Sequence, residues 1–119
     1  MIFGDIIKEV VEKLDGAISG VIMGVDGIAL EAFAKNGGSF DIQTAGIEYA
    51  SILKNVQKIA GEMKSGKVSE MSIQSENHIV IIESINQEYF FAPAIAPNGN
   101  FGKARYLMRT AVPRIVKEL

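Results

Sequence analysis

The chain has 119 residues, of which 48% are hydrophobic and 22% charged, with a net charge of −2 and no cysteine. That length suits one domain, residues 1–119, with a core of its own. The charge offers no field for polyanions, so nucleic acid is not an expected partner, and the missing cysteines exclude disulfides and thiolate metal sites and suit a reducing cytoplasm.

The opening MIFGDIIKEVVEKLDG is interrupted by Asp5, Lys8, Glu9, Glu12 and Lys13, so it does not read as a signal peptide. Nor does any stretch approach the ~18–20 apolar residues of a membrane span, and no membrane insertion is expected. Phe3, Ile7, Val10 and Leu14, widened by Ile6 and Val11, predict a helix over 3–14 that Gly16 stops. AISGVIMGV (17–25) and IALEAFAK (28–35) read as strands. The intervening Asp26-Gly27 predicts a type I′ hairpin, with positive φ at both residues. Gly20 and Gly24 share a face with Ile18 and Ile22, which implies close approach by a crossing helix or a bound ligand.

NGGS (36–39) breaks the pattern, and Asp41 is placed to cap the longest predicted helix, 41–63. Ile42, Ala45, Tyr49, Ile52, Val56, Ile59 and Met63 form an apolar stripe along it, broadened by Leu53 and Ala60. Gly46, Ala50, Gln57 and Gly61 form a strip of mostly small residues beside it. Such a strip suits tight packing on the domain's own sheet or close approach of a helix from a second subunit. Ile47 stands alone on the far side among Ser51, Lys54 and Lys58.

GEMKSGKVS (61–69) nearly matches the P-loop pattern, but it runs from helix to strand and has Val68 where a magnesium-binding hydroxyl belongs. It reads as a helix stop, with Gly66 as the left-handed cap and Lys64 and Lys67 near the negative helix end. SEMSIQS (69–75) alternates with Met71 and Ile73 inward, and it has neither a proline nor an inward charge to block edge pairing. HIVIIESI (78–85) is apolar on both faces and therefore central. In EYFFAPAIA (88–96), Pro93 marks an edge or a bulge. Asn100 caps a last helix over 101–119, with Phe101, Ala104, Leu107, Met108, Ala111, Ile115 and Leu119 on one face and Pro113 expected to kink it.

No catalytic constellation assembles. His78 is the only histidine and falls at a turn, where exposure is expected. The position of Asp26 is explained by turn geometry. Glu9 with Glu12, and Glu83 with Glu88, offer no acid–base pair. Arg105 and Arg109 lie one helical turn apart, on a solvated face or opposite an acidic partner. No enzyme activity, cofactor or metal is expected.

The order α-β-β-α-β-β-β-α, the Val25-Asp26-Gly27 turn, the long second helix and the segment Asn100-Phe101-Gly102-Lys103-Ala104-Arg105 together resemble Roadblock/dynein light-chain domains. Asp26 and Gly27 match the family's turn, and Asn100, Gly102 and Arg105 fill its N-x-G-x-x-R pattern. The resemblance covers nearly the whole chain and implies an α/β (α+β type) fold. Its antiparallel five-stranded sheet would be ordered 2-1-5-4-3, with helix 2 on one face and helices 1 and 3 on the other. It further implies homodimers or heterodimers in which third strands pair edge to edge and second helices pack antiparallel. Gly46, Ala50, Gln57, Gly61, Met71 and Ile73 would then form the dimer interface.

Family members commonly serve Ras-like small GTPases, and the stand-alone bacterial, MglB-like ones accelerate GTP hydrolysis without inserting a catalytic residue. By position, the partner-binding surface would be Ile47, Ser51, Lys54, Asn55 and Lys58. The expected function is a non-catalytic, cytoplasmic dimeric regulator or adaptor of such a GTPase. The alternatives are a purely structural scaffold, and a small-ligand sensor with a pocket floor at Gly20 and Gly24.

Overall fold

A computed structural model describes residues 2–35 and 40–119, so the expected break at 36–39 lies outside the described residues. The elements are α1 (Ile2–Lys13), β1 (Ala17–Gly24), β2 (Ala29–Ala34), α2 (Ile42–Glu62), β3 (Glu70–Gln74), β4 (Ile79–Ser84), β5 (Tyr89–Ile95) and α3 (Phe101–Val116). All strand pairs are antiparallel, and the sheet runs β2-β1-β5-β4-β3. Both the order and the topology match the expectation.

The sheet divides two apolar layers. On one face, Ile7 and Val11 of α1, Leu14 just after it, and Ala104, Met108 and Ile115 of α3 pack with Ile22, Ile81 and Phe91. On the other, Ile42, Ala50 and Leu53 of α2 pack with Val21, Met23, Val80, Ile82 and Phe90. Successive side chains on a strand point to opposite faces. The doublets Ile22-Met23, Ile81-Ile82 and Phe90-Phe91 thus feed both layers at once. α1 comes down directly over Gly20, where a Cβ would lie 3.0 Å from Ile7 Cγ2 and 3.4 Å from Val11 Cγ2. The crossing helix accounts for that glycine and leaves no ligand floor. Gly24 is crowded by Asp26 of its own turn instead.

Three local features depart from expectation. The first is the hairpin, where Gly27 has φ +88° while Asp26 is not in the positive region, so the turn is not type I′. Gly27 N–H donates to Gly24 C=O, and Gly24 N–H donates to Ile28 C=O, both at 2.9 Å. That is a three-residue loop closed by a left-handed glycine. Asp26 Oδ1 accepts from Ile28 N–H at 3.0 Å and braces it.

The second is the end of α2. Ser65 N–H donates to Ala60 C=O at 2.8 Å and Lys64 N–H to Gly61 C=O at 3.2 Å, with Lys64 at φ 58°. This is a Schellman stop whose left-handed residue is Lys64, two places before the expected Gly66. A side chain is disfavoured in that conformation. Lys64→Gly is therefore expected to raise stability by about 0.5–1 kcal/mol in a denaturant titration.

The third is Pro93, which lies in a central strand rather than at an edge, next to the register shift of the β1–β5 ladder between Ala17 and Ser19, opposite Ile95 and Ala94. The β1 ladder continues through it as Gly20↔Pro93, whereas the β4 pairing lapses between Val80↔Ala94 and Glu83↔Phe91 without a change of register. The missing N–H thus falls on the β4 side and costs a local gap in one ladder. Neighbouring α3 is capped as expected, with Asn100 Oδ1 accepting from Lys103 N–H at 2.9 Å, and it runs through Pro113 to Val116. Leu119 lies beyond the helix and is exposed.

Candidate functional site

α2 decides which surface the molecule offers. Its small strip, not its large apolar stripe, faces the sheet. Gly46 and Ala50 are buried, and a Cβ on Gly46 would lie 3.0 Å from Met23 Cε. Both are filled from within the chain, which corrects their placement at a subunit interface. The physical reason is close packing: small side chains let α2 sit low over β1 and β5, and that rolls the bulkier flank outward. Gln57 is half-buried and donates from Nε2 to Gln87 C=O at 3.3 Å. Gly61 is exposed, with open space around it.

The flank rolled outward carries Ile52, Ile59 and Met63, which are 48%, 50% and 72% exposed, with half-buried Val56 among them. These residues belong to the apolar stripe of the sequence, of which Ile42 and Leu53 are buried. On the opposite flank, Ile47 leans over the β1–β2 turn, its Cγ2 lying 3.6 Å from where a Gly27 Cβ would be. The Ile52–Met63 flank lies on the side of α2 away from that turn. β3 is an edge strand, and Met71 and Ile73 are half-buried on the same face as α2. An exposed apolar helix flank and the edge strand β3 thus share one face of the sheet.

Ile47, Ser51, Lys54, Asn55 and Lys58 are all exposed. At 100° per residue they occupy one outward arc of α2. The helix holds them together on solvent, with Ile47 as the apolar member and the two lysines as the charged ones.

The motif residues have structural roles that the geometry explains. Asp26 and Gly27 shape the hairpin, and Asn100 caps α3. A Cβ on Gly102 would meet only Asn100 Oδ1, at 3.7 Å, so local crowding does not require glycine there. Arg105 donates from Nε to Glu70 at 2.9 Å and lies 5.8 Å from the Phe101 ring centroid. Arg109 reaches the same Glu70 oxygen at 3.8 Å. The acidic partner of these arginines is thus inside the chain, on β3.

Glu70 is paired across the strands with Glu83, a carboxylate only 9% exposed. Burial first, then the adjacent Glu70, pushes the Glu83 carboxyl up to about 7, while Arg109 and Arg105 oppose the shift. This cluster was missed in the sequence, although a signal existed. Ile79, Ile81, Glu83 and Ile85 alternate onto one face of a central strand, which turns Glu83 inward. β3 therefore carries an inward charge, contrary to expectation.

His78 is half-buried and stacks on Phe40, with ring centroids 4.2 Å apart. A cleft of about 360 Å³ lies between β2 and the start of α2, bordered by Ala32, Phe33, Phe40, Asp41 and Ile42. Among the described residues, no group of acidic and histidine side chains is arranged to hold a metal, and no helix is long and apolar enough to cross a membrane.

No protein-family model matches the chain, and no curated protein matches it. Among solved structures, the fold is that of a Roadblock/LC7 domain from Streptomyces avermitilis, with a TM-score of 0.77, 12% identity, and coverage of 97% of this chain and 95% of that one. Myxococcus xanthus MglB superposes with a TM-score of 0.83 at 9% identity, over 98% of this chain and 95% of that one. The sequence itself is similar to MglC from Myxococcus xanthus, 35% identical over 100% of both chains, with a TM-score of 0.72. The chain belongs to the Roadblock/LC7 family, and its similarity to MglC spans its full length.

Proposed function

We propose that the protein is a non-catalytic, dimeric regulator of a Ras-like small GTPase in the cytoplasm. The observation that carries this reading is the exposed apolar flank of α2 on the same face of the sheet as the edge strand β3. Water-exposed isoleucine and methionine in a row favour burial against another chain. A second copy supplies the same flank and the same edge, which suits a two-fold, self-complementary contact. The interface then consists of Ile52, Val56, Ile59 and Met63 together with Met71 and Ile73. In that dimer the outward arc of each α2 stays free for the GTPase, with Ile47, Ser51, Lys54, Asn55 and Lys58 as contacts. The similarity to MglC and to MglB supports the same partner class.

The test is retention from the source lysate on immobilised protein, with GDP or a non-hydrolysable GTP analogue, followed by hydrolysis assays on the captured GTPase. A small GTPase held mainly with the analogue is the expected result. Ile47→Glu should weaken its binding by roughly 30-fold, the scale of a ~2 kcal/mol interface anchor. Faster hydrolysis on adding the protein identifies an activator. Retention of other proteins, indifferent to nucleotide, would instead mark a scaffold and overturn the regulator reading.

A further inference from the structure

The Glu70–Glu83–Arg105–Arg109 cluster has a position that gives it a further role. It joins three elements: Glu70 on β3, Glu83 on β4, and the two arginines on α3. β3 is five residues long, lies at the sheet edge and has a β-strand neighbour on one side only. Its hold on the sheet therefore rests on the β4 ladder, on Met71 and Ile73 in the apolar layer, and on this cluster.

The groups around Glu83 do not balance its charge completely. Arg105 Nε and Arg109 both address Glu70 Oε1, at 2.9 and 3.8 Å. Glu83 Oε2 is buried and has no hydrogen-bond partner. Across the other ladder, β5 presents Phe91 opposite Glu83, an apolar ring that stabilises no charge. Two carboxylates at directly opposed strand positions repel when both are ionised. A proton on Glu83 removes that repulsion and gives it a hydrogen to share with Glu70.

We infer that Glu83, Glu70, Arg105 and Arg109 form a proton-operated latch that fastens edge strand β3 to β4 and α3 when Glu83 is protonated and loosens it when Glu83 is ionised. The sign follows from burial. Glu83 binds its proton more tightly in the closed arrangement, with its carboxyl held up to about 7, than in an opened strand, where it returns toward 4.5. Closure is thus favoured at low pH, weakens progressively as pH rises from about 4.5 to about 7, and changes little beyond. The latch acts within one chain and requires neither a dimer nor a GTPase. Where β3 is the strand offered to a second copy, the same proton also controls the readiness of that edge.

Hydrogen exchange of the 70–74 amides, corrected for intrinsic rates, tests the latch at pH 6 and pH 8.5. The wild type is expected to exchange up to about tenfold faster at the higher pH, while the β1–β5 ladder keeps its protection. Glu83→Gln keeps shape and hydrogen-bonding capacity without the titration, and should give equal protection at both values. Glu70→Gln is the second variant. It removes the repelling neighbour and should move the wild-type transition to lower pH. Wild-type exchange independent of pH, or a pH response of equal size in Glu83→Gln, would overturn the latch. Light scattering on the same samples separates this from the dimer reading, since a monomer with pH-dependent β3 protection retains the latch and loses the dimer.

Discussion

Ile59→Glu is expected to convert the proposed dimer to a folded monomer. In one chain Ile59 is half exposed, so a glutamate there is hydrated and should change the folding stability by no more than about 0.5 kcal/mol. In the proposed dimer the same position is covered by the second α2. A two-fold contact introduces the charge twice, and each unpaired buried carboxylate costs on the order of several kcal/mol. The dissociation constant should rise by at least about 1,000-fold, equivalent to ~4 kcal/mol. Light scattering at a fixed concentration, with a thermal melt beside it, reads both quantities. Ala50→Glu provides the contrast, because Ala50 is 1% exposed on the sheet-facing side of α2 and its replacement should unfold the domain. A dimer that survives Ile59→Glu with its mass unchanged would remove this flank from the interface.

The contrast between Ile59 and Ala50 also marks the limit of periodicity as a guide. The 3.6-residue pattern located α2 to within a residue or two at each end, because the period depends only on the backbone. It did not fix the rotation of the helix. The apolar arc is wider than the contact face, and the wheel cannot say which part of it meets the sheet. Size decided that: Gly46 and Ala50 allow close approach over Met23, and a roll that buried Ile52 and Ile59 would hold the helix further out. Strand order, by contrast, was legible once the family resemblance was seen. The direction of Glu83 was legible from alternation alone. Its pairing with Glu70 was not, since cross-strand register depends on a turn seven residues away from Glu70 and on the path of β3. Lys64 was not legible as the cap because a left-handed position favours glycine, and Gly66 stands close by.

Phe91→Ala should produce a large loss of stability, about 3–5 kcal/mol. Phe91 is fully buried on β5, the middle strand of the sheet, and packs in the layer formed by α1 and α3. Its ring edge lies 3.4 Å from the site a Gly20 Cβ would occupy, so it fills the space that the missing side chain opens beneath α1. Removing the ring leaves a cavity bounded by Ile7, Val11 and the sheet, which a rigid antiparallel ladder cannot collapse to fill. Against a total of about 5–15 kcal/mol for a typical domain, that loss is severe. Phe90→Ala is equally buried and should cost a similar amount, but in the α2 layer. The two variants therefore separate the layers. Hydrogen exchange should show α1 and α3 opening first in Phe91→Ala and α2 opening first in Phe90→Ala. Of the two, Phe90→Ala should also weaken the dimer, because it loosens the helix that carries Ile52, Ile59 and Met63. Equal loss of protection across all three helices in both variants would mean that the layers unfold as one unit, and the proposed independence of α2 would fail.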